Sequence, residues 1–170
     1  MMHSSDISTP ISACGPQRAA RPLRQRRRVP LLVGLATALL GCAALAGPAL
    51  PTVQLRVGQH TVRAELADTP QTLKEGLMHR KALAADQGML FMLGAPDIYC
   101  FWMKNTLIPL SIAFIDAQGH IISIQDMRPG ALDPHCPPTP VTAALEMNQG
   151  WFAQTGSAIG TKIKGLPGLR

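Results

Sequence analysis

The chain has 170 residues and a formal net charge of +6, and most of that charge lies near its start. Six of the sixteen Lys and Arg residues but only one of the ten acidic residues precede residue 47, which leaves ten basic against nine acidic residues and a net charge of +1 after it. The charge therefore gives no support to nucleic-acid binding, and we expect no nucleic-acid partner. The length of residues 47–170 suits a single domain.

The first predicted element is an export signal. A basic stretch ends at Arg28, an uncharged apolar run follows over residues 31–46, and the small-residue sequence Ala44-Leu45-Ala46 precedes Gly47. This arrangement is typical of a secretory signal peptide over residues 1–46. The run is shorter than the roughly 20 residues that a membrane-spanning helix needs. We therefore predict a periplasmic protein whose mature domain does not span the membrane.

A second cleavage site competes with the first. Leu39-Leu40-Gly41-Cys42 resembles a lipobox, in which Cys42 is lipidated and becomes the mature N-terminus. The alternative location is thus a membrane-anchored lipoprotein that presents the same domain to the periplasm.

Two cysteines, Cys100 and Cys136, follow the predicted signal. Because an exported chain meets an oxidising compartment, we predict a disulfide between them. Closing this loop should stabilise the domain by about 3–4 kcal/mol. A redox-active pair normally has the spacing Cys-x-x-Cys, which these two residues lack.

The remaining pattern indicates mostly strands, taken here in chain order. A hairpin turns at Gly58-Gln59, a short helix follows over residues 70–79 with Asp68 as its cap, and apolar runs over 89–93 and 98–103 predict two strands. The next predicted elements are a hairpin of 110–115 and 121–125, a proline-rich loop over 128–140, a strand over 141–147, a helical turn at Trp151 and a last strand at 161–163. We predict a mainly β fold with one short N-terminal helix, either a small β-sandwich of jelly-roll type or a distorted barrel.

Five short motifs occur in order along this domain. They are Gly76-Leu77-Met78-x-Arg80, Gly88-Met89-Leu90-Phe91, the run from Phe101 to Leu110, Ala113-Phe114-Ile115-Asp116-x-x-Gly119 and Ala144-Leu145-Glu146-Met147-Asn148-x-Gly150. Together they resemble the family called domain of unknown function 192, or uncharacterised protein family 0127, over roughly residues 52–165. The resemblance implies a mainly β fold that is often exported in bacteria, and it implies no established activity. Ser111 departs from the Asp that we expect in many members.

The run after Cys100 carries the main candidate binding residues. Trp102 and Lys104 place an aromatic ring and a cation at the predicted end of a strand, a combination suited to the rim of a ligand site. Asn105 has an alternative role as a turn former. We expect these three residues, with Arg80 and Glu146, to line a site for a small molecule or an envelope component. The interpretation is a non-catalytic binding or accessory module that needs no cofactor.

Two other functions stay open. A hydrolase acting on envelope glycan requires two carboxyl groups facing one cleft, and the candidates are Glu65, Asp68, Asp116 and Glu146. Of these, Asp116 is explained by its turn, whereas Glu146 lies in an apolar strand and either faces solvent or pairs with Arg80 or Lys104. Periplasmic Cu(I) binding is the other alternative, because thioethers are suitable ligands and Met78, His79 and His135 are weak candidates.

Overall fold

The structure is a computed structural model that describes residues 49–168. The predicted signal peptide, its cleavage site and Cys42 lie outside these residues. The described chain forms seven strands and two short helices: β1 (Thr52–Val57), β2 (His60–Ala67), α1 (Pro70–Glu75), β3 (Gln87–Asp97), β4 (Leu110–Ile115), β5 (Ile121–Met127), β6 (Val141–Asn148), α2 (Trp151–Gln154) and β7 (Ile163–Lys164). Neither helix is long and apolar enough to cross a membrane.

All seven strands belong to one sheet, in the order β5-β4-β6-β3-β2-β1-β7. The β2–β3 pair is parallel because α1 and a loop connect these strands, and every other neighbouring pair is antiparallel. The predicted mainly β fold is confirmed. Of the two predicted architectures, the distorted barrel describes this curled single sheet better than a two-sheet sandwich.

The two ends of the sheet meet near β7. β7 pairs with β1, and residues 160–163 also bond to the start of β5 through Ile121 N to Thr161 O (3.0 Å) and Gly160 N to Ile121 O (2.8 Å). Ile163 N donates to Gly119 O in the same region at 2.8 Å. The sheet is therefore curled into a half-barrel that this last segment partly closes.

Both faces of the central strands are buried. On one face, Leu90 of β3 and Leu145 of β6 pack with α2 and β7. On the other face, Phe91 and Ala144 pack under the long segments that follow α1 and β3. Because side chains alternate along a strand, the apolar residues of β3, β4 and β6 near the sheet centre divide between these two cores.

The structure corrects two of the predicted elements, the helix at both of its ends and one strand. The helix ends at Glu75 instead of residue 79, because Gly76 adopts φ 51°. Its N-cap is Thr69 and not Asp68: Thr69 and Thr72 form a reciprocal capping box. The predicted strand at 98–103 is wrong, since this segment is irregular apart from a single bridge between Phe101 and His135.

The two predicted hairpins are confirmed. The β4–β5 turn depends on Asp116, whose Oδ1 accepts hydrogen bonds from the backbone N–H groups of Gln118 (2.9 Å) and His120 (2.8 Å). These bonds explain Asp116 fully as a turn residue.

Candidate functional site

A pocket of about 320 Å³ opens between α1 and the irregular segment after β3. Its walls are residues 73–78, Phe91, Leu93, residues 99–102, Thr106 and Glu146. Four of the seven Phe, Trp and Tyr residues of the whole chain line it, namely Phe91, Tyr99, Phe101 and Trp102. We call this cavity the aromatic pocket.

One wall is the C-terminal end of α1. The helix begins with the capping box of Thr69 and Thr72 and with Pro70 at its first position. It ends at Gly76, which has a positive φ that favours glycine. A Cβ on Gly76 would lie 3.2 Å from Cζ of Phe91, so the missing side chain allows the ring to approach the backbone closely. The end of α1 is thereby held against β3.

The opposite wall is the irregular segment from Ile98 to Thr106. The disulfide between Cys100 and Cys136 joins it to the proline-rich loop, as predicted. Phe101 and His135 exchange two backbone hydrogen bonds of 2.8 and 2.7 Å, and Met103 N donates to Ala131 O at 3.0 Å. The Phe101 ring then packs edge-on against Phe91 at 5.0 Å and Phe114 at 5.8 Å. The wall is therefore fixed by tertiary contacts rather than by a strand ladder.

Glu146 is the buried polar group of the aromatic pocket. It lies on β6 directly between Met89 of β3 and Ile112 of β4, and only 5% of it is exposed. Among the described residues it has no side-chain hydrogen bond and no ion pair. Burial among apolar neighbours disfavours the charged form and raises the pKa of Glu146 from 4.5 to about 8.

Of the predicted residues Trp102, Lys104 and Asn105, only Trp102 lines this pocket. Trp102 is 54% exposed, and Nζ of Lys104 stands 5.5 Å from the centre of its ring. Asn105 adopts φ 60°, which agrees with its alternative role as a turn former. Lys104 and Asn105 line a side pocket together with Met78 and His79, and Trp102 borders both cavities.

The structure does not bring Arg80 to Glu146. The Arg80 guanidinium pairs instead with Glu65 at 2.5 Å, beside another cavity that includes Thr52 and Thr72. Both sequence alternatives for Glu146 are therefore wrong: it neither faces solvent nor pairs with Arg80 or Lys104. Its position between two central strands could not be known without the strand order.

The candidate copper ligands are only partly brought together. Met78 and His79 share the side pocket, where the Met78 sulfur lies 4.0 Å from Nδ2 of Asn105. His135 is not among the residues that line it, and its Nδ1 lies 3.1 Å from Oε1 of Gln125. Residues 49–168 contain no group of three His, Cys, Asp or Glu side chains placed to hold a metal ion.

Sequence reasoning missed several residues of the aromatic pocket. Phe91 and Leu77 each lie within one of the five motifs, but nothing local shows that the two motifs face each other. Tyr99, the only tyrosine of the chain, lies two residues before the motif that begins at Phe101. Glu75, which also lines the pocket, directly precedes another motif. Proximity to the motifs was the available signal for these two.

Comparison with known proteins gives a family and several structural relatives. No curated protein matches the chain. A structure from Sinorhizobium meliloti 1021, described as a "putative transcription regulator", is 31% identical, with a TM-score of 0.68, and the match covers 71% of this chain and 98% of that one. A protein of unknown function from Novosphingobium aromaticivorans DSM 12444 is 34% identical, with a TM-score of 0.65 and coverage of 71% and 94%.

The family comparison agrees with the five motifs and with the fold. The model of DUF192, described as Uncharacterized ACR, matches residues 53–165, which include the aromatic pocket and all seven strands except the first residue of β1. This chain belongs to the DUF192 family.

Proposed function

We propose that this protein is an exported, non-catalytic binding module whose ligand is a small molecule, or a small group on an envelope component, that enters the aromatic pocket. The observation that carries the proposal is Glu146, a buried carboxyl group without a partner among residues 49–168. Leaving such a group unpaired in an apolar core is unfavourable by several kcal/mol. Buried carboxyl groups with a strongly shifted pKa are concentrated at functional sites.

The walls of the pocket support binding of a partly apolar ligand. Four aromatic side chains line it together with apolar residues such as Leu73, Leu77 and Leu93 and a few polar groups, a combination typical of small-molecule sites. Its size of about 320 Å³ lies at the lower end of the usual range for such sites.

The binding proposal is tested with a fragment library, by ligand-observed NMR and by thermal shift. We expect hits that raise the melting temperature, because a ligand of the native state stabilises it. The double variant Trp102→Ala, Lys104→Ala should lower the affinity for these fragments at least tenfold. Glu146→Gln should lower the affinity for the fragments that carry a polar group. Leu132→Ala is the matched control, since Leu132 is also a large exposed apolar side chain (65% against 54% for Trp102) but lies outside the pocket. Binding that survives in both pocket variants would contradict the proposal.

Export is a separate part of the proposal. It is supported by the predicted signal over residues 1–46 and by the disulfide, a bond that persists in oxidising compartments. Mass spectrometry of the protein produced in a bacterial host should find Gly47 as the mature N-terminus. A lipid-modified Cys42 would establish the anchored alternative, and an unprocessed cytoplasmic chain would contradict export.

One observation favours the hydrolase as a second candidate. Glu75 lines the same pocket as Glu146, so two carboxyl groups face one cleft. Glu146 keeps its proton at neutral pH because of its raised pKa, as a general acid requires. Purified protein incubated with chromogenic glycosides and with peptidoglycan fragments should then release product, and Glu146→Gln should abolish the release. Turnover no faster than that of Glu146→Gln would remove this candidate.

A further inference from the structure

We infer that the group recognised in the aromatic pocket is an organic ammonium ion, an alkylated amine whose charge lies among the rings and against the carboxyl group of Glu146. This inference rests on the binding function proposed above and specifies the chemistry of its ligand.

The aromatic rings of the pocket favour a cationic ligand. Phe91, Tyr99, Phe101 and Trp102 line one cavity, and the faces of aromatic rings attract cations through their quadrupole. A cation already stands over one of them, since Lys104 lies 5.5 Å from the Trp102 ring centre on the side-pocket side. Aromatic cages of this kind suit methylated ammonium groups, which are weakly hydrated and partly apolar.

The charged residues of the pocket also favour a cationic ligand. The charged residues that line the pocket are Lys74 and Glu75 of α1 and Glu146 of β6. Lys74 and Glu75 are adjacent, exposed and of opposite sign, so they nearly cancel at the mouth. Glu146 alone is buried and has no partner among residues 49–168. An anionic ligand would oppose the ionisation of this carboxyl group, whereas a cationic ligand would favour it. A cation would give this carboxyl group the partner that the described residues do not provide.

The pH dependence of binding separates a cation from a neutral ligand. A cation binds the ionised form of Glu146 and must displace its proton, whereas a neutral acceptor binds the protonated form. With a pKa of about 8 in the free protein, affinity for a permanent cation should rise about a hundredfold from pH 6 to pH 9. Affinity for a neutral acceptor should fall over the same range.

Other titratable groups lie near the aromatic pocket and could contribute to the pH dependence of binding. The pocket is lined by Tyr99 and by Lys74 and Glu75 of α1. The phenol of Tyr99 donates a hydrogen bond to Ala95 O at 2.9 Å. Lys104 and His79 lie in the side pocket beyond Trp102. His79→Asn is a suitable control, because Asn tolerates the backbone at φ 63° while the titrating ring is removed.

The test uses choline, whose charge does not change with pH, and its uncharged isostere 3,3-dimethyl-1-butanol. Calorimetry or NMR titration of the folded protein at pH 6, 7, 8 and 9 should show choline binding that strengthens with pH, and at least tenfold weaker binding of the alcohol at pH 9. Glu146→Gln should remove the pH dependence and the preference for choline, and His79→Asn should retain both. Circular dichroism of each variant verifies its fold.

The outcomes distinguish this inference from the function on which it rests. Equal binding of the two probes, or choline binding that weakens as pH rises, overturns the ammonium inference but leaves a binding pocket. If fragments bind in the pocket and choline does not bind, the conclusion is the same. A pocket that binds neither probe and no fragment overturns both proposals.

Discussion

At the scale of single residues, Glu146 shows how burial follows from position in the sheet. Its neighbours Leu145 and Met147 point into one core, so alternation turns Glu146 toward the other face, beside Ala144. On a sheet with one solvated face it would be exposed. Here the segments after α1 and β3 cover that face, and the carboxyl group is left among Met89, Ile112 and the pocket rings.

This burial makes the stability of the domain depend on pH. The pKa of Glu146 is about 8 in the folded state against 4.5 in the unfolded state, so folding favours the protonated form. The contribution of Glu146 to the free energy of unfolding should be fully present below pH 4.5, fall as pH rises to about 8 and then level off. The total loss is on the order of 5 kcal/mol. Urea unfolding of the wild type between pH 5 and pH 9 measures this loss.

Two glutamine variants locate the source of the effect. Glu146→Gln should abolish most of the fall between pH 5 and pH 8, and above pH 8 it should be more stable than the wild type. Glu75→Gln removes an exposed carboxyl group from the same pocket and should keep the wild-type slope. An unchanged slope in Glu146→Gln would mean that another group causes the pH dependence.

At the scale of elements, local signals predicted turns well and pocket walls poorly. The hairpin at Asp116 follows from side-chain bonds to its own turn, so the sequence is sufficient to find it. The segment after Ile98 has the apolar content of a strand, yet its partners are a disulfide and a loop distant in sequence. Glu146 was recognised as unusual, but its burial depends on the order β3-β6-β4, which is non-local.

The start of α1 gives a direct test at this scale, because Asp68 and Thr69 are adjacent candidates for its cap. Thr69 accepts from Thr72 N at 3.2 Å and completes a capping box, whereas Asp68 is exposed and makes no side-chain hydrogen bond among residues 49–168. Thr69→Ala should lower the free energy of unfolding by about 1 kcal/mol. Asp68→Ala should change it by less than about 0.5 kcal/mol. Urea denaturation of both variants at one pH measures the difference, and a larger effect of Asp68→Ala would reassign the cap.

At the scale of the whole molecule, the two sides of the curled sheet are closed by different means. On the face with Leu145, residues of all seven strands of the curled sheet pack together, and α2 adds Trp151 and Phe152 to this core. The face with Glu146 is covered by α1 and by two irregular segments that the Cys100–Cys136 disulfide joins. The aromatic pocket thus lies on the face whose covering segments are irregular and are held together by the disulfide.

Removing this disulfide should therefore weaken the whole domain and the pocket wall in particular. The bond spans 36 residues, and its loss in Cys100→Ser, Cys136→Ser should lower the free energy of unfolding by about 4 kcal/mol. Amide hydrogen exchange should accelerate at Phe101 and Met103, whose bonds to His135 and Ala131 hold the wall, and much less at Leu145 in the sheet centre.

Reduction of the wild type provides the matched comparison, because it removes the bond without changing any side chain other than the two cysteines. Reduced wild type and the double Ser variant should unfold at the same urea concentration, and the reductant should not affect the variant. If the bond acted only on the unfolded chain, exchange at Phe101 would rise no more than exchange at Leu145. A selective rise at Phe101 is expected, since the wall has few strand hydrogen bonds to keep it in place.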